Sequence, residues 1–327
     1  MIYKAKRFFY RVAKSITGIH SKFGLRIWLT IISLSFLSHS ILINLEKISQ
    51  QSFYRSSLIF ICFSFLITSL SVFINAFSWK FLVEWLGYRH ININLVKLFV
   101  RTNLFKYTPG GVWHFVERVR VIRNEMSLSH SLLSVFLEPL LMLVAAFLWL
   151  PFGSWNISVK LLSIVPLFLF HPRARKLFLN LLEKLIYSKF SKFDSIEIPI
   201  QSKNNLEIDK QSLPLKALLT EMLFVLVRFL GFWLCLKAFL IGNSLDFFDW
   251  LSAFSLAWVI GLVVPAAPGG TGVFESSILL IVGKLLPDAP LLSALLCYRV
   301  VATFSDVIGF VIVKSGELKL ISRWKKS

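Results

Sequence analysis

Long apolar runs separated by short polar, mostly basic segments dominate the chain. The first runs from Ile27 to Leu45, and the second, Ser56 to Trp79, has no charged residue. Others cover Leu132 to Leu150, Val159 to Phe170, Leu215 to Ile241, Trp250 to Val264, Phe274 to Leu286 and Leu291 to Val313. An α-helix needs roughly 20 apolar residues to cross the hydrocarbon core of a bilayer. The pattern therefore predicts an all-α, polytopic integral membrane protein with about eight transmembrane helices.

The polar segments between these runs divide the chain. Residues 1–26 carry Lys and Arg but no acidic residue, and Ile2, Phe9, Val12, Ile16, Ile19 and Phe23 recur between the basic positions. That spacing predicts a basic amphipathic cytoplasmic N-terminus lying at the membrane surface. The apolar run after it lacks a small-residue cleavage pattern, so it reads as an uncleaved signal anchor. A first membrane half then covers residues 27–187, a polar cytosolic linker residues 188–214, a second membrane half residues 215–313, and a basic cytoplasmic tail residues 314–327.

Charge supplies the orientation. The chain has 36 Lys and Arg against 17 Asp and Glu, a net charge of +19, yet only 16% of its residues are charged and the mean hydropathy is +0.71. A soluble domain carries about 25% charged residues. With Met1 to Arg26, Lys80 to Ser131, His171 to Pro214 and Lys314 to Ser327 on one side, the opposite connections retain only Lys47, Arg55 and Lys284. Basic loops stay cytoplasmic, so both termini are expected inside, in a multi-pass protein of the cell inner (plasma) membrane. The basic face favours anionic lipid headgroups. No recognition motif accompanies the charge, and nucleic acid is not an expected partner.

Catalytic chemistry finds no foothold in the sequence. Cys62, Cys235 and Cys297 fall inside predicted spans without metal or disulfide spacing. There is no HExxH, no Asp-rich cluster, and no Lys after Gly269, Gly270 and Gly272 to complete a P-loop. The expectation is no catalytic residue, no metal and no cofactor, hence a transporter-like protein rather than an enzyme.

A repeated motif carries the functional signal. Thr108-Pro109-Gly110-Gly111-Val112-Trp113-His114-Phe115-Val116-Glu117 in the first half matches Ala267-Pro268-Gly269-Gly270-Thr271-Gly272-Val273-Phe274-Glu275 in the second. Each Pro-Gly-Gly follows one helix-like segment and precedes another, so each half is expected to hold a broken or re-entrant helix. Interrupted helices at matching places in two halves point to a transport site. Gly lets a ligand approach the backbone, and the following helix presents unpaired N–H groups at its positive end. Such a terminus suits a lipid phosphate. Arg118 lies one turn beyond His114 and offers a planar fork for the same group. Tyr107 and Trp113 flank the motif, where aromatic rings suit the headgroup level.

These two motifs, with Arg118 and the eight-span layout, resemble the transmembrane region of lysylphosphatidylglycerol synthases, the flippase-like membrane part of multiple peptide resistance factors. The resemblance covers about Leu25 to Val313. It implies a protein associated with moving a phospholipid between leaflets. With Ser327 soon after the last span, it implies a stand-alone member without the aminoacyltransferase domain.

Ionisable residues inside spans are costly and face partners or cavities. Glu138 precedes Pro139 in mid-span, where a kink is expected. Glu221 and Arg228 lie seven apart on one span, as do Arg299 and Asp306 on another. Their opposite order predicts pairs Glu221 with Arg299 and Arg228 with Asp306, serving as helix locks or as a polar groove for a headgroup. Gly231, Gly261 and Gly309 are expected to permit close helix packing.

The expected lipid-phosphate site is thus Pro109, Gly110, Gly111, Trp113, His114, Arg118, Pro268, Gly269, Gly270, Gly272 and Glu275, with Glu138, Glu221, Arg228, Arg299 and Asp306 as the intramembrane polar set. The expected partners are membrane lipids, either an anionic phospholipid or a lipid-linked glycan. A second hypothesis is a non-transporting subunit that binds lipid or polyprenyl-linked intermediates for an envelope-biosynthesis enzyme. A third, a transferase using Glu117 or Glu275 as base, lacks a nucleophile or metal set.

Overall fold

A computed structural model describes residues 55–107, 112–154, 213–264 and 272–324, with side chains through 315, together with Leu42 and separate positions between 157 and 184. The expected N-terminal helix, the first span at Ile27 to Leu45, most of the linker at 188–214 and the last residues of the tail lie outside the described residues. So do most of the Val159 to Phe170 run and both Pro-Gly-Gly triplets.

The described residues form nine α-helices and no strand: α1 Arg55–Trp85, α2 Leu95–Asn103, α3 Trp113–Ile122, α4 Leu128–Trp149, α5 Ile157–Leu161, α6 Leu215–Ala238, α7 Phe247–Val263, α8 Val273–Val282 and α9 Asp288–Trp324. Among the described residues, four segments are long and apolar enough to cross a membrane: Ser56–Trp85, Leu128–Phe152, Leu215–Ala238 and Asp288–Ser315. The ten residues of α8 reach about 15 Å, half of the roughly 30 Å hydrocarbon core. Helix α8, directly after the second motif, is therefore too short to cross it alone.

The principal packing unit is the antiparallel pair α1 and α6. Its register rests on four buried serines at heptad spacing along α1: Ser57, Ser64, Ser71 and Ser78. Ser57 donates to the Ala238 carbonyl at 2.7 Å, Ser64 to Gly231 at 2.7 Å and Ser78 to Ala217 at 2.9 Å. A seven-residue repeat keeps one seam facing a partner helix, and small polar residues at that seam let backbones approach and bond. A Cβ on Gly231 would lie 2.1 Å from the Thr68 hydroxyl oxygen, so the crossing needs glycine. Gly309 allows a second close approach, since its Cβ would meet Val100 at 3.1 Å. Gly261 faces open space, contrary to the packing role expected of it.

Two apolar cores flank this pair. One gathers α6, α7, α8 and α9 around Phe229, Phe232, Trp250, Phe254, Phe274 and Tyr298. The other joins α1, α2, α3 and the first half of α4 around Trp79, Phe99, Ile122 and Leu133. Helix α4 serves both, and it crosses from one to the other at Glu138-Pro139.

The segment Lys80 to Ser131, expected as a cytoplasmic loop, is the largest difference from the sequence reading. Its helices α2 and α3 pack inside the bundle against α1, α4 and α9. Leu98, Phe99 and Val100 of α2 and Ile122 of α3 are fully buried. Helix α2 is amphipathic, so its Lys97 and Arg101 lowered the apolar signal although its inner face belongs to the core.

Candidate polar site at the broken helices

Both interruptions are bounded by ordered helix. Before the first motif, α2 continues as a 3-10 turn, Leu104–Tyr107, and α3 begins at Trp113. Around the second, α7 ends at Val263 and α8 begins at Val273. Gly272 caps α8 with φ 87°, a left-handed conformation that costs any other residue strain. The Gly272 N–H donates to Glu275 Oε2 at 2.8 Å, so a carboxylate already occupies the positive end of this helix.

Arg299 compensates that carboxylate. Its Nε lies 2.7 Å from Glu275 Oε1, and its Nη2 donates to Oε2 at 3.3 Å. Two turns along the same face of α9, Asp306 is buried and receives three donors from the segment before the first motif. Asn103 donates to Oδ1 at 2.8 Å, the Tyr107 hydroxyl to Oδ2 at 2.6 Å, and Lys106 Nζ lies 2.8 Å from Oδ2. One face of α9 thus binds the entrance to the first broken segment and the exit of the second.

The expected cross-pairs do not form. Arg299 meets Glu275 rather than Glu221, and Asp306 meets Lys106 rather than Arg228. The reason is that α2 and its 3-10 turn, assigned to a loop, pack on α9 and saturate Asp306.

Arg228, near the middle of α6, is 6% exposed, and its Nη1 donates to Ser71 Oγ at 3.2 Å. Its guanidinium carbon stands 6.0 Å from the Trp258 ring centroid. Its Nε has no hydrogen-bond partner, and no carboxylate among the described residues is within ion-pair distance. Ser71 is the third rung of the serine ladder, and it accepts from Arg228 while donating to Thr68 at 2.6 Å on its own helix.

A second polar cluster fixes α3. Arg118, 1% exposed, bonds Glu138 Oε2 through Nη1 at 2.6 Å and Thr102 Oγ1 through Nε at 3.1 Å. Its guanidinium also stacks 3.7 Å from the Phe99 centroid. The arginine expected to face a lipid phosphate is therefore turned inward, with Glu138 as its counter-ion. Glu221 is fully buried nearby; the Ser78 hydroxyl reaches it electrostatically but donates to the Ala217 carbonyl, so neither Glu221 oxygen accepts a well-aligned hydrogen bond among the described residues.

Burial shifts four titratable groups that lie outside the four long helices. Burial holds His114 well below the ordinary histidine range, and the charges of Arg118 and Lys106 act in the same direction. His114 is thus neutral near pH 7 and brings no cation to the motif. Burial, reinforced by Asp306, pushes the Tyr107 hydroxyl up, which keeps it a donor. Burial lowers Lys106 from the ordinary lysine range, while its ion pair with Asp306 opposes the shift. Burial likewise lowers Arg118, and Glu138 opposes it. Trp113 is 41% exposed at the start of α3.

Sequence reasoning singled out Arg299, Asp306 and Glu275 but missed Asn103 and Lys106. The available signal was the amphipathic spacing of 95–103 directly before a Pro-Gly-Gly.

No curated protein and no solved structure matches the chain. Residues 48–309 match the family described as the lysylphosphatidylglycerol synthase TM region, a span that takes in α1 to α8 and the part of α9 carrying Arg299 and Asp306. The chain belongs to the lysylphosphatidylglycerol synthase transmembrane-region family.

Proposed function

We propose that this membrane protein binds a lipid headgroup at the polar face of α9 and passes it between leaflets. The observation that carries the reading is the double tether of α9, to Glu275 after the second break and to Asn103, Lys106 and Tyr107 before the first. Two interrupted segments that share one helix can move as a unit, and interrupted backbone inside a membrane belongs where it lines a polar path. The headgroup would enter between the Pro-Gly-Gly segments while its acyl chains remain in lipid. In this reading Arg118 orients α3 through Glu138 rather than touching phosphate. Trp113, His114 and the backbone of Pro109 to Gly111 and Pro268 to Gly270 would border the path. We place both termini on the cytoplasmic side of the inner membrane, a placement supported by the basic residues of 1–26, 171–214 and 314–327.

The test is leaflet exchange of labelled phosphatidylglycerol in proteoliposomes, with Asp306→Asn as the comparison. The wild type should accelerate exchange and Asp306→Asn should lose most of the effect. No acceleration by the wild type with phosphatidylglycerol or a lipid-linked glycan, together with stable co-purification of a transferase, would establish the accessory-subunit role instead.

A further inference from the structure

Arg228 presents a charge problem that its surroundings leave open. Arg228 and Arg299 both lie within electrostatic reach of Lys106, and the carboxylates beside these cations are Asp306 and, at Arg299, Glu275. Each carboxylate is committed: Asp306 to Asn103, Lys106 and Tyr107, and Glu275 to Arg299 and the Gly272 N–H. Among the described residues three cations therefore face two carboxylates, and Arg228 is the cation without one in contact.

Arginine does not shed its charge in proteins, and a buried unpaired charge is strongly unfavourable. Asp306, beyond ion-pair distance but within electrostatic reach, a hydroxyl at 3.2 Å and an indole ring at 6.0 Å compensate part of it. The Nε donor remains unmade in a guanidinium whose fork matches a phosphate or carboxylate. The local backbone explains why the side chain stays there. Three of the four ladder serines on α1 bond α6 carbonyls, whereas Ser71 is held by Arg228, so the seam itself is built around the guanidinium.

We propose that Arg228 is the anion receptor of the path and takes the singly charged phosphodiester of a phospholipid headgroup, with Ser71 orienting the guanidinium. This deepens the headgroup reading and rests on it. One phosphodiester neutralises the excess of one positive charge among these five residues. A neutral glycolipid leaves that excess in place.

The direct test uses wild-type protein labelled with 15N-arginine, reconstituted with phosphatidylglycerol, and measures 15N–31P dipolar dephasing by solid-state NMR. The expected result is an arginine side-chain signal dephased by phosphorus and absent from Arg228→Lys. No dephased arginine in the wild type, or an unchanged signal in Arg228→Lys, overturns the proposal. A binding measurement in detergent then compares phosphatidylglycerol, monogalactosyldiacylglycerol and glycerophosphoglycerol. Arg228→Gln should lower phosphatidylglycerol affinity by about tenfold or more, as expected for a lost charge-assisted fork. The galactolipid should bind equally to wild type and variant. Equal phosphatidylglycerol affinity in the two proteins sinks the assignment. Glycerophosphoglycerol binding as tightly as the lipid would identify a soluble phosphodiester as the ligand and overturn the phospholipid assignment. The two readings fail separately. Exchange of phosphatidylglycerol that is equal in wild type and Arg228→Gln removes Arg228 while keeping translocation. Arg228-dependent binding without exchange keeps the receptor and removes translocation.

Discussion

Arg299 grips Glu275 across the turn between α8 and α9, with Nε 2.7 Å from Oε1, and the same carboxylate caps the N-terminus of α8 at Gly272. In the first half, Arg118 on α3 grips Glu138 on α4 at 2.6 Å. The two halves use one device with the charges exchanged. Each short helix after a Pro-Gly-Gly is pinned to the next long helix by a buried ion pair, with the base on the short helix in the first half and the acid there in the second.

Because Glu275 serves both the cap and the ion pair, its loss should cost more than that of a surface pair. Glu275→Gln is expected to destabilise by about 3 kcal/mol, in the range seen when one partner of a buried pair is removed. Glu275→Gln and Arg299→Gln should be strongly non-additive, since either one breaks the same contact. Thermal unfolding of both single variants and the double variant in detergent checks this. Strictly additive losses would show that the residues act separately.

Arg118→Ala leaves Glu138 buried without its counter-ion. Folded yield should fall and the unfolding midpoint should drop by several degrees, as expected for a loss of about 3–5 kcal/mol. Replacing the acid as well, as Arg118→Ala with Glu138→Leu, should recover part of the loss. Size-exclusion profiles and melting curves decide it, and an Arg118→Ala variant as stable as wild type would contradict the pinning role.

The glycines separate by their neighbours. Gly231→Leu drives a side chain into Thr68 and should destabilise by about 1–3 kcal/mol through overpacking. Gly261→Ala meets nothing within 4 Å and should be neutral or stabilise by up to about 1 kcal/mol through helix propensity. Melting temperatures of the two variants provide the check, and a larger loss in Gly261→Ala would refute the packing assignment.

Much of the candidate site was legible in the residues themselves. Arg299 and Asp306, seven apart in an apolar run, stood out because a charge inside a span requires a reason. The two Pro-Gly-Gly motifs stood out because they interrupt helices at matching places. Lys106 and Asn103 were hidden by the charges around them, since Lys97 and Arg101 made an interior amphipathic helix resemble a loop. The serine ladder was hidden for a different reason. Hydropathy treats Ser57, Ser64, Ser71 and Ser78 as mild interruptions, and only a packed neighbour shows that they form one seam.

The sequence by itself determined that the chain is a bundle of membrane helices, that it carries two matching Pro-Gly-Gly motifs, and that Glu138, Glu221, Arg228, Arg299 and Asp306 lie within its apolar runs. Those properties follow from composition and spacing along one dimension. Which charge meets which was decided by the tertiary structure alone. Opposite charges at equal spacing on two helices are compatible with several partners, and the packing of α2 against α9 gave Asp306 to Lys106, Tyr107 and Asn103. That choice left Arg228 on α6 bonded to a serine and, among the described residues, without a carboxylate in contact, because ion pairing depends on a few ångströms of approach that no linear pattern specifies.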